Sequence, residues 1–187
     1  SSYRQAIGAN SRLPSAYNNL ANALREIGNF EEAIANYRVA IQLSPNYAKA
    51  YNNLGVTLQA IGKEHKAIEN FRNAISIDVF YAEPYFNLGS VLLGQDSFEE
   101  AVLNFSEAIK INPDYIQAHV NLGVAFQKLS RFDDAISYFE FANTKTSKAK
   151  ILECLFSKRE YDEFYKRLAD FTDVDSTNIS LVAISAF

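Results

Sequence analysis

Few side chains in this 187-residue sequence are of the types that carry acid–base, nucleophilic or metal chemistry. The two histidines, His65 and His119, are far apart in the sequence, and the single cysteine, Cys154, lies among the apolar residues of a predicted helix. A zinc or haem site needs paired His or Cys ligands, and a nucleotide site needs a glycine-rich phosphate loop; the sequence shows neither pattern. We therefore predict that the chain is not an enzyme and holds no catalytic residue, metal ion or cofactor.

The composition argues against two further classes of ligand. A net charge of −4 and an isoelectric point near 5.2 give no excess of Lys and Arg that could displace counterions from nucleic acid. The apolar run at 179–187 is interrupted by Ser180 and Ser185 and is far shorter than the roughly 20 residues that cross a bilayer. One cysteine forms no intramolecular disulfide, which fits a reducing compartment. We expect no binding to nucleic acid or membranes, and a cytoplasmic location.

The sequence repeats itself at an offset of 34 residues. Four copies occupy residues 14–47, 48–81, 82–115 and 116–149. In the first copy the repeating positions are Tyr17, Leu20, Ala21, Leu24, Ala33, Tyr37 and Ala40. The later copies carry the same residues, or residues of similar kind, at steps of 34, with His119 replacing the first tyrosine in the fourth copy. So many positions recurring in phase indicate an internal repeat.

Each copy is predicted to form two helices. Large residues recur at steps of three and four, which places them on one face of a helix. The turn between the two helices falls at four equivalent residues, Gly28, Gly62, Asp96 and Ser130. Acidic pairs such as Glu31-Glu32 open the second helices, where negative charge complements the helix dipole, so we interpret them as structural. The small residue of the first helix, for example Gly55, is predicted to face the second-helix alanine, here Ala67.

The pattern continues in weaker form on both sides of the four copies. Residues 1–13 are predicted to be the second helix of a truncated preceding repeat. Residues 150–171 are predicted to be a shortened, degenerate hairpin, with helices near 149–158 and 161–171. Residues 172–187 are predicted to be a loop and the start of a further helix, and we interpret the chain as a fragment of a longer protein.

The repeating order of an aromatic, Leu-Gly, and then Ala, an aromatic and Ala resembles the pattern of the tetratricopeptide repeat (TPR) family, whose repeats are 34 residues long. The resemblance implies an all-α fold, a right-handed superhelical α-solenoid of antiparallel helix pairs in which each pair packs on its neighbours. It also implies that the first helix of each pair lines a concave groove that binds other proteins.

Asparagine is concentrated on the predicted groove surface. Seven of the 17 asparagines fall at the 24 first-helix positions that are predicted to point away from the core. Four of them lie immediately before the Leu of each first helix and are called the asparagine row here: Asn19, Asn53, Asn87 and Asn121. A carboxamide carries both a donor and an acceptor, so it can pair with the C=O and the N–H of an extended peptide backbone. The stretches 17–21 and 51–55 also resemble the repeats of O-linked N-acetylglucosamine transferase, and that resemblance implies main-chain binding by the row.

The predicted peptide-binding residues are the row and its groove neighbours: Asn18, Asn19, Asn22, Asn52, Asn53, Phe86, Asn87, Val120, Asn121 and Val124. The apolar members, together with Leu93, are predicted to form a patch that selects a neutral, partly apolar segment. Replacing Asn53, Asn87 and Asn121 with Ala should weaken partner binding and leave the melting temperature unchanged. The alternative is that these asparagines are merely solvated residues copied during duplication.

Three functions fit the sequence, and the repeat pattern favours the first. It is a protein-interaction scaffold that binds an extended peptide segment of a partner protein in the asparagine-lined groove. The second is the substrate-recruiting arm of a larger enzyme, for example a glycosyltransferase, whose catalytic domain lies outside this chain. The third is self-association through the exposed apolar ends of the solenoid.

Overall fold

The computed structural model describes residues 13–172 of the chain. All regular structure in this range is helical, which confirms the predicted all-α helical-repeat class. The chain divides into two compact units, Ser1–Gln95 and Asp96–Phe187. The truncated helix predicted in residues 1–13, and the loop and helix predicted in residues 172–187, lie outside the described residues apart from Leu13 and Thr172.

The described part of the first unit contains two helix pairs and the first helix of a third. The pairs are α1 (Pro14–Glu26) with α2 (Phe30–Leu43) and α3 (Ala48–Ala60) with α4 (Glu64–Ile77), and α5 (Ala82–Gly94) follows. Each helix packs against the next one in the chain. The first helices also contact one another directly, α1 with α3 and α3 with α5, so they lie side by side.

The second unit begins with a second helix, α6 (Phe98–Ile111). The pair α7 (Ile116–Lys128) and α8 (Phe132–Ala142) comes next, followed by the pair α9 (Lys145–Ser157) and α10 (Tyr161–Thr172). Each of these helices contacts the next one in the chain. Because the connections are short, the helices of each pair run antiparallel.

A residue with left-handed backbone conformation follows each of the helices α1, α3, α5 and α7. Gly28 and Gly62 have φ angles of 78° and 73°. Asp96 and Ser130, at the equivalent positions of the later copies, have φ angles of 57° and 58°. Glycine adopts this conformation freely, whereas Asp and Ser adopt it at a steric cost. All four residues that the 34-residue spacing assigns to the turns therefore have the left-handed backbone conformation in the structure.

The aromatic residue in the middle of each second helix lies at the centre of the core. Tyr37 and Phe71 in the first unit, and Phe105 and Phe139 in the second, have no exposed surface. The residue one helical turn before each of these aromatics is a fully buried alanine on the same face of the helix. The predicted core positions of the second helices are thus the buried ones.

The close contact of the first-helix glycine differs from the prediction. Gly55 is expected to face Ala67, but the three atoms nearest to a Cβ built on Gly55 all belong to the ring of Phe71, at distances from 2.6 Å. Gly123 approaches the ring of Phe139 in the same way, also with 2.6 Å between the built Cβ and the nearest ring carbon. The glycine is therefore needed because a large ring, and not a small side chain, fills the space opposite it.

The pair α9–α10 begins earlier than the predicted range near 149. Helix α8 ends after 11 residues, and Asn143 then turns the chain with a left-handed φ of 46°. The Thr144 hydroxyl accepts a hydrogen bond from the backbone N–H of Ser147 at 3.0 Å, and the Ser147 hydroxyl accepts one from the backbone N–H of Thr144 at 2.8 Å. This reciprocal capping box starts α9 at Lys145. The surrounding segment is polar, so its composition does not indicate where the helix begins.

Ion pairs connect the last helix pair to α8. Arg167 of α10 donates from Nη1 to Glu140 of α8 at 2.7 Å, and from Nε to Glu163 on its own helix at 2.6 Å. Lys158, directly after α9, pairs with Asp133 at the start of α8. Exposed pairs of this kind contribute little individually, because solvent screens them. They add to the packing contact between α8 and α9.

The Glu163 carboxyl is expected to titrate below its usual range. The hydrogen bond from Arg167 lowers its pKa, and the charge of Lys166 acts in the same direction. Because the pKa is lower in the folded chain than in the unfolded chain, the pair stabilises α10 at neutral pH, and this contribution is lost as the pH falls through the lowered pKa. An NMR titration of the side-chain carboxyl should give a midpoint below the ordinary value of 4.5, and Arg167→Gln should raise it. A wild-type midpoint at or above 4.5 would contradict the ion pair.

Candidate functional site

The asparagine row places one residue on each of α1, α3, α5 and α7. In the first unit Asn19, Asn53 and Asn87 are on neighbouring helices, since α1 contacts α3 and α3 contacts α5. Asn19 is exposed, and Asn53 and Asn87 are half-buried. Asn121, in the second unit, is half-buried as well. The three residues of the first unit therefore lie on adjacent helices, and each has some exposed surface.

Two members of the row form hydrogen bonds with the preceding repeat. Nδ2 of Asn53 donates to Oδ1 of Asn18 at 3.1 Å. Nδ2 of Asn87 donates to Oδ1 of Asn52 at 2.9 Å. The two bonds are equivalent, since each joins residues 35 apart on the first helices of consecutive repeats. Carboxamide pairs thus connect α1 to α3 and α3 to α5.

The acceptors of these two bonds are buried. Asn18 is 3% exposed and Asn52 is 5% exposed. The amide of Asn18 lies 3.4 Å from Oδ1 of Asn19, and the amide of Asn52 donates to the hydroxyl of Tyr81 at 3.3 Å. A buried carboxamide needs such partners, because an unpaired polar group in the interior costs free energy. Both predicted peptide-binding residues therefore have a packing role between repeats.

This arrangement corrects the expected effect of the alanine substitutions on stability. Asn53→Ala would leave the buried oxygen of Asn18 without its donor, and Asn87→Ala would do the same to Asn52. A loss of about 1 kcal/mol per site is expected. For these two positions we therefore expect a lower melting temperature and not an unchanged one, because the two side chains bond to buried oxygens and are not purely solvated.

Asn53 and Asn87 keep hydrogen-bonding capacity after these bonds are made. Among the described residues, no protein group bonds to the carbonyl oxygen of either side chain. Within residues 13–172, Nδ1 of His119 is the single side-chain nitrogen or oxygen that is buried and has no hydrogen-bond partner. The two asparagine oxygens, which have no partner in this range either, are therefore accessible to solvent. Each carboxamide of the pair therefore presents an open acceptor, and keeps one amide hydrogen that the inter-repeat bond does not use.

Asn22 is held inside the first helix pair. Its Oδ1 accepts a hydrogen bond from the hydroxyl of Tyr37 at 2.6 Å. Burial raises the pKa of Tyr37, so the hydroxyl remains a donor at neutral pH. The later copies carry Phe in place of this tyrosine, and their residues equivalent to Asn22 are Val56, Ser90 and Val124. The Asn22–Tyr37 pair is thus particular to the first copy, and it leaves the amide of Asn22 for other contacts.

The predicted apolar patch divides between the two units. Phe86 and Leu93 lie on α5 in the first unit, and Val120 and Val124 lie on α7 in the second. All four side chains are half-buried. Partly exposed apolar side chains beside polar groups are typical of ligand sites. Selection of a partly apolar segment by these residues stays a prediction for each unit separately.

His119 and Cys154 are packed inside the fold and are not arranged for catalysis or metal binding. His119 is buried, its Nε2 lies 2.8 Å from the carbonyl oxygen of Pro113, and its ring stacks on Phe141 with 4.0 Å between centroids. Burial raises the pKa of the Cys154 thiol to about 11, which keeps it protonated and unreactive at neutral pH. Over residues 13–172 no three His, Cys, Asp or Glu side chains are grouped so as to hold a metal ion. In the same range no helix combines the length and the apolar character needed to cross a membrane.

A cleft of about 400 Å³ between α8, α9 and α10 has no counterpart in the sequence-based predictions. Its apolar lining is Phe139, Ile151 and Leu152, and its polar lining is Glu140, Asn143, Lys148, Glu163, Lys166, Arg167 and Asp170. The charges are mixed, and several of them already pair with one another, so the cleft favours no single class of ligand. The loss of the repeat pattern after Ala142 is the sequence signal for altered packing in this region.

Two family models match the chain. The model described as TPR repeat matches residues 21–62 and 94–130, and the model described as Tetratricopeptide repeat matches residues 48–78. Together they cover just over half of the chain. A comparison with curated protein sequences finds no match.

Solved structures share the fold of this chain. YrrB, a TPR protein with an unusual peptide-binding site, aligns with 100% of this chain and 97% of its own, with a TM-score of 0.84 and 20% identity. The MamA protein aligns with 89% of this chain and 94% of its own, with a TM-score of 0.79 and 24% identity. The pilF protein of Pseudomonas aeruginosa aligns with 84% of this chain and 76% of its own, with a TM-score of 0.72 and 27% identity. The family models and the shared fold agree with the 34-residue pattern, and the chain belongs to the tetratricopeptide repeat family.

Proposed function

We propose that this TPR chain is a protein-interaction scaffold that holds an extended peptide segment against its first helices. The observation that carries the proposal is the pair Asn53 and Asn87, which present open carbonyl oxygens at equivalent positions of neighbouring helices. Each carboxamide can accept from a backbone N–H and donate to a backbone C=O. One such contact per repeat would hold a peptide main chain whatever its side chains are.

The likeness to YrrB supports a peptide as the ligand. That protein has a peptide-binding site, and its fold matches this chain over the whole length. Stacked helical repeats offer extended surfaces of this kind to their partners. The alternative that the repeats are the recruiting arm of a larger enzyme stays a prediction. Self-association through the apolar ends of the solenoid also stays a prediction.

The other candidate residues have distinct roles in the proposal. In the first unit Asn19 and the free amide of Asn22 add polar contacts, and Phe86 contacts an apolar side chain of the peptide. In the second unit Asn121 acts on the main chain, and Val120 and Val124 act on apolar side chains. The partner segment is accordingly neutral and partly apolar.

Removal of the row is expected to weaken peptide binding. The probe is a peptide selected on the wild-type chain from a phage-displayed library of short random sequences. Combined replacement of Asn53, Asn87 and Asn121 with Ala should raise its Kd by about tenfold to a hundredfold, since each lost hydrogen bond contributes about 1 kcal/mol. Calorimetry would measure the affinity, at a temperature where circular dichroism shows that the variant is folded.

A matched control replaces three asparagines on the second helices. Asn36, Asn70 and Asn104 each donate to a carbonyl oxygen one turn earlier on their own helix, at 2.8, 2.7 and 2.8 Å. Their combined replacement with Ala should change the Kd by less than about twofold. Equal affinity of the row variant and this control would refute the proposal, and so would a library that yields no peptide binding to the wild-type chain.

A further inference from the structure

We propose that Asn18 and Asn52 are positioning residues that orient the side chains of Asn53 and Asn87 for a peptide backbone. The inference rests on the proposed function, because it assigns how the same surface is organised. Asn18 and Asn52 are almost completely buried, so their own contact with a peptide is small. Their effect on binding is exerted through the hydrogen bonds that they accept.

The orientation follows from the geometry of the carboxamide. Its oxygen and nitrogen lie in one plane, so fixing the direction of one N–H also fixes the direction of the C=O. The N–H of Asn87 is directed at Asn52 and the N–H of Asn53 at Asn18, at 2.9 and 3.1 Å. The carbonyl oxygens are thereby held on the open side of each side chain.

The acceptor is itself held in place. Asn52 donates to the hydroxyl of Tyr81 while it accepts from Asn87, so both ends of its carboxamide are engaged. A side chain that is ordered before binding loses less conformational entropy when the ligand arrives. The linked hydrogen bonds of Tyr81, Asn52 and Asn87 therefore order the Asn87 side chain before an extended backbone binds.

The arrangement is specific to the first two copies. At the positions equivalent to Asn18 and Asn52, the third and fourth copies carry Phe86 and Val120, which have no side-chain acceptor. The same link occurs at two successive repeat boundaries of the first unit, with the same atoms and nearly the same distance. Such a repetition is difficult to explain as a chance surface contact.

Asn52→Leu tests the inference, because Leu has a similar volume and no acceptor. The probe is the library-selected peptide defined above, and the second readout is the ¹⁵N relaxation of side-chain amides in the free protein. The Asn87 amide should become more mobile, and the Kd should rise by about threefold to tenfold although Asn52 is buried. The Asn53 amide, which bonds to Asn18, serves as an internal reference and should not change.

Two further variants distinguish the positioning role from a general loss of structure in Asn52→Leu. Asn52→Asp keeps an acceptor for Asn87, so it should retain both the order of the Asn87 amide and most of the affinity. Asn18→Leu should produce the complementary result, in which the Asn53 amide becomes mobile and the Asn87 amide does not. This variant also answers the question if Asn52→Leu does not fold.

The outcomes separate the two proposals. An Asn87 amide that stays ordered in Asn52→Leu overturns the positioning role, and so does an amide that becomes mobile without loss of affinity. If Asn87→Ala weakens binding but Asn52→Leu does not, only the positioning role fails. If Asn87→Ala also leaves the Kd unchanged, the proposed function fails and the positioning role fails with it.

Discussion

Replacement of Phe71 with Ala is expected to lower the free energy of unfolding of the first unit by about 3–5 kcal/mol. The ring has no exposed surface and lies against the backbone of α3 at Gly55. Its removal leaves a cavity that Gly55 cannot fill, because glycine has no side chain that could move into the space. Urea-induced unfolding followed by circular dichroism measures the loss.

Phe80→Ala is the matched control for this substitution. Phe80 lies in the loop between α4 and α5 and is 80% exposed, so the same change of side chain removes almost no buried surface. Its effect should stay within about 0.5 kcal/mol. Losses of equal size for the two variants would show that Phe71 is not the centre of the core.

Gly55→Val should destabilise the first unit by about 3 kcal/mol, although replacing Gly inside a helix normally increases the stability of the helix. A Cβ at this position would lie 2.6 Å from the nearest carbon of the Phe71 ring, so the ring or a helix must move. The ring is fully buried and its surroundings are packed, so movement strains the core. Urea-induced unfolding is again the measurement.

Gly94→Val provides the control at the end of α5. A Cβ on Gly94 would meet no atom within 4 Å, so this variant should change the free energy of unfolding by less than about 0.5 kcal/mol. Phe71→Leu should offset part of the loss in Gly55→Val, since the smaller side chain makes room for the added methyl groups. Strictly additive effects of Gly55→Val and Phe71→Leu would contradict the close contact.

The helix pairs could be predicted from the sequence because each repeat marks its own turn. A turn residue recurs every 34 positions, and Ser130 adopts the same left-handed conformation as Gly28 although its side chain does not favour it. The phase of the repeat thus identified a turn that composition alone does not indicate. The early start of α9 could not be predicted in this way, because Asn143 and Thr144 interrupt the repeat and act through local capping.

The two roles of asparagine could not be separated from the sequence. Asn52 and Asn53 are adjacent and identical in type, yet one is 5% exposed and the other is half-buried at the surface. Successive helical residues differ by about 100° in direction, and the packing of α5 and Tyr81 against α3 encloses Asn52 rather than Asn53. The signal that points to burial is the later exchange of this position for Phe86 and Val120. A position that accepts both Asn and large apolar residues is typical of a partly enclosed contact.

Main-chain recognition by the row is tested most directly by changing the peptide backbone itself. Esters replace the peptide bonds of the library-selected probe one at a time, which removes one N–H donor and leaves every side chain in place. At one position the ester should raise the Kd for the wild-type chain by about threefold to tenfold, and this effect should disappear in Asn87→Ala, whose acceptor is gone. An ester effect of the same size in both proteins, or no effect at any position, would contradict backbone binding by Asn87.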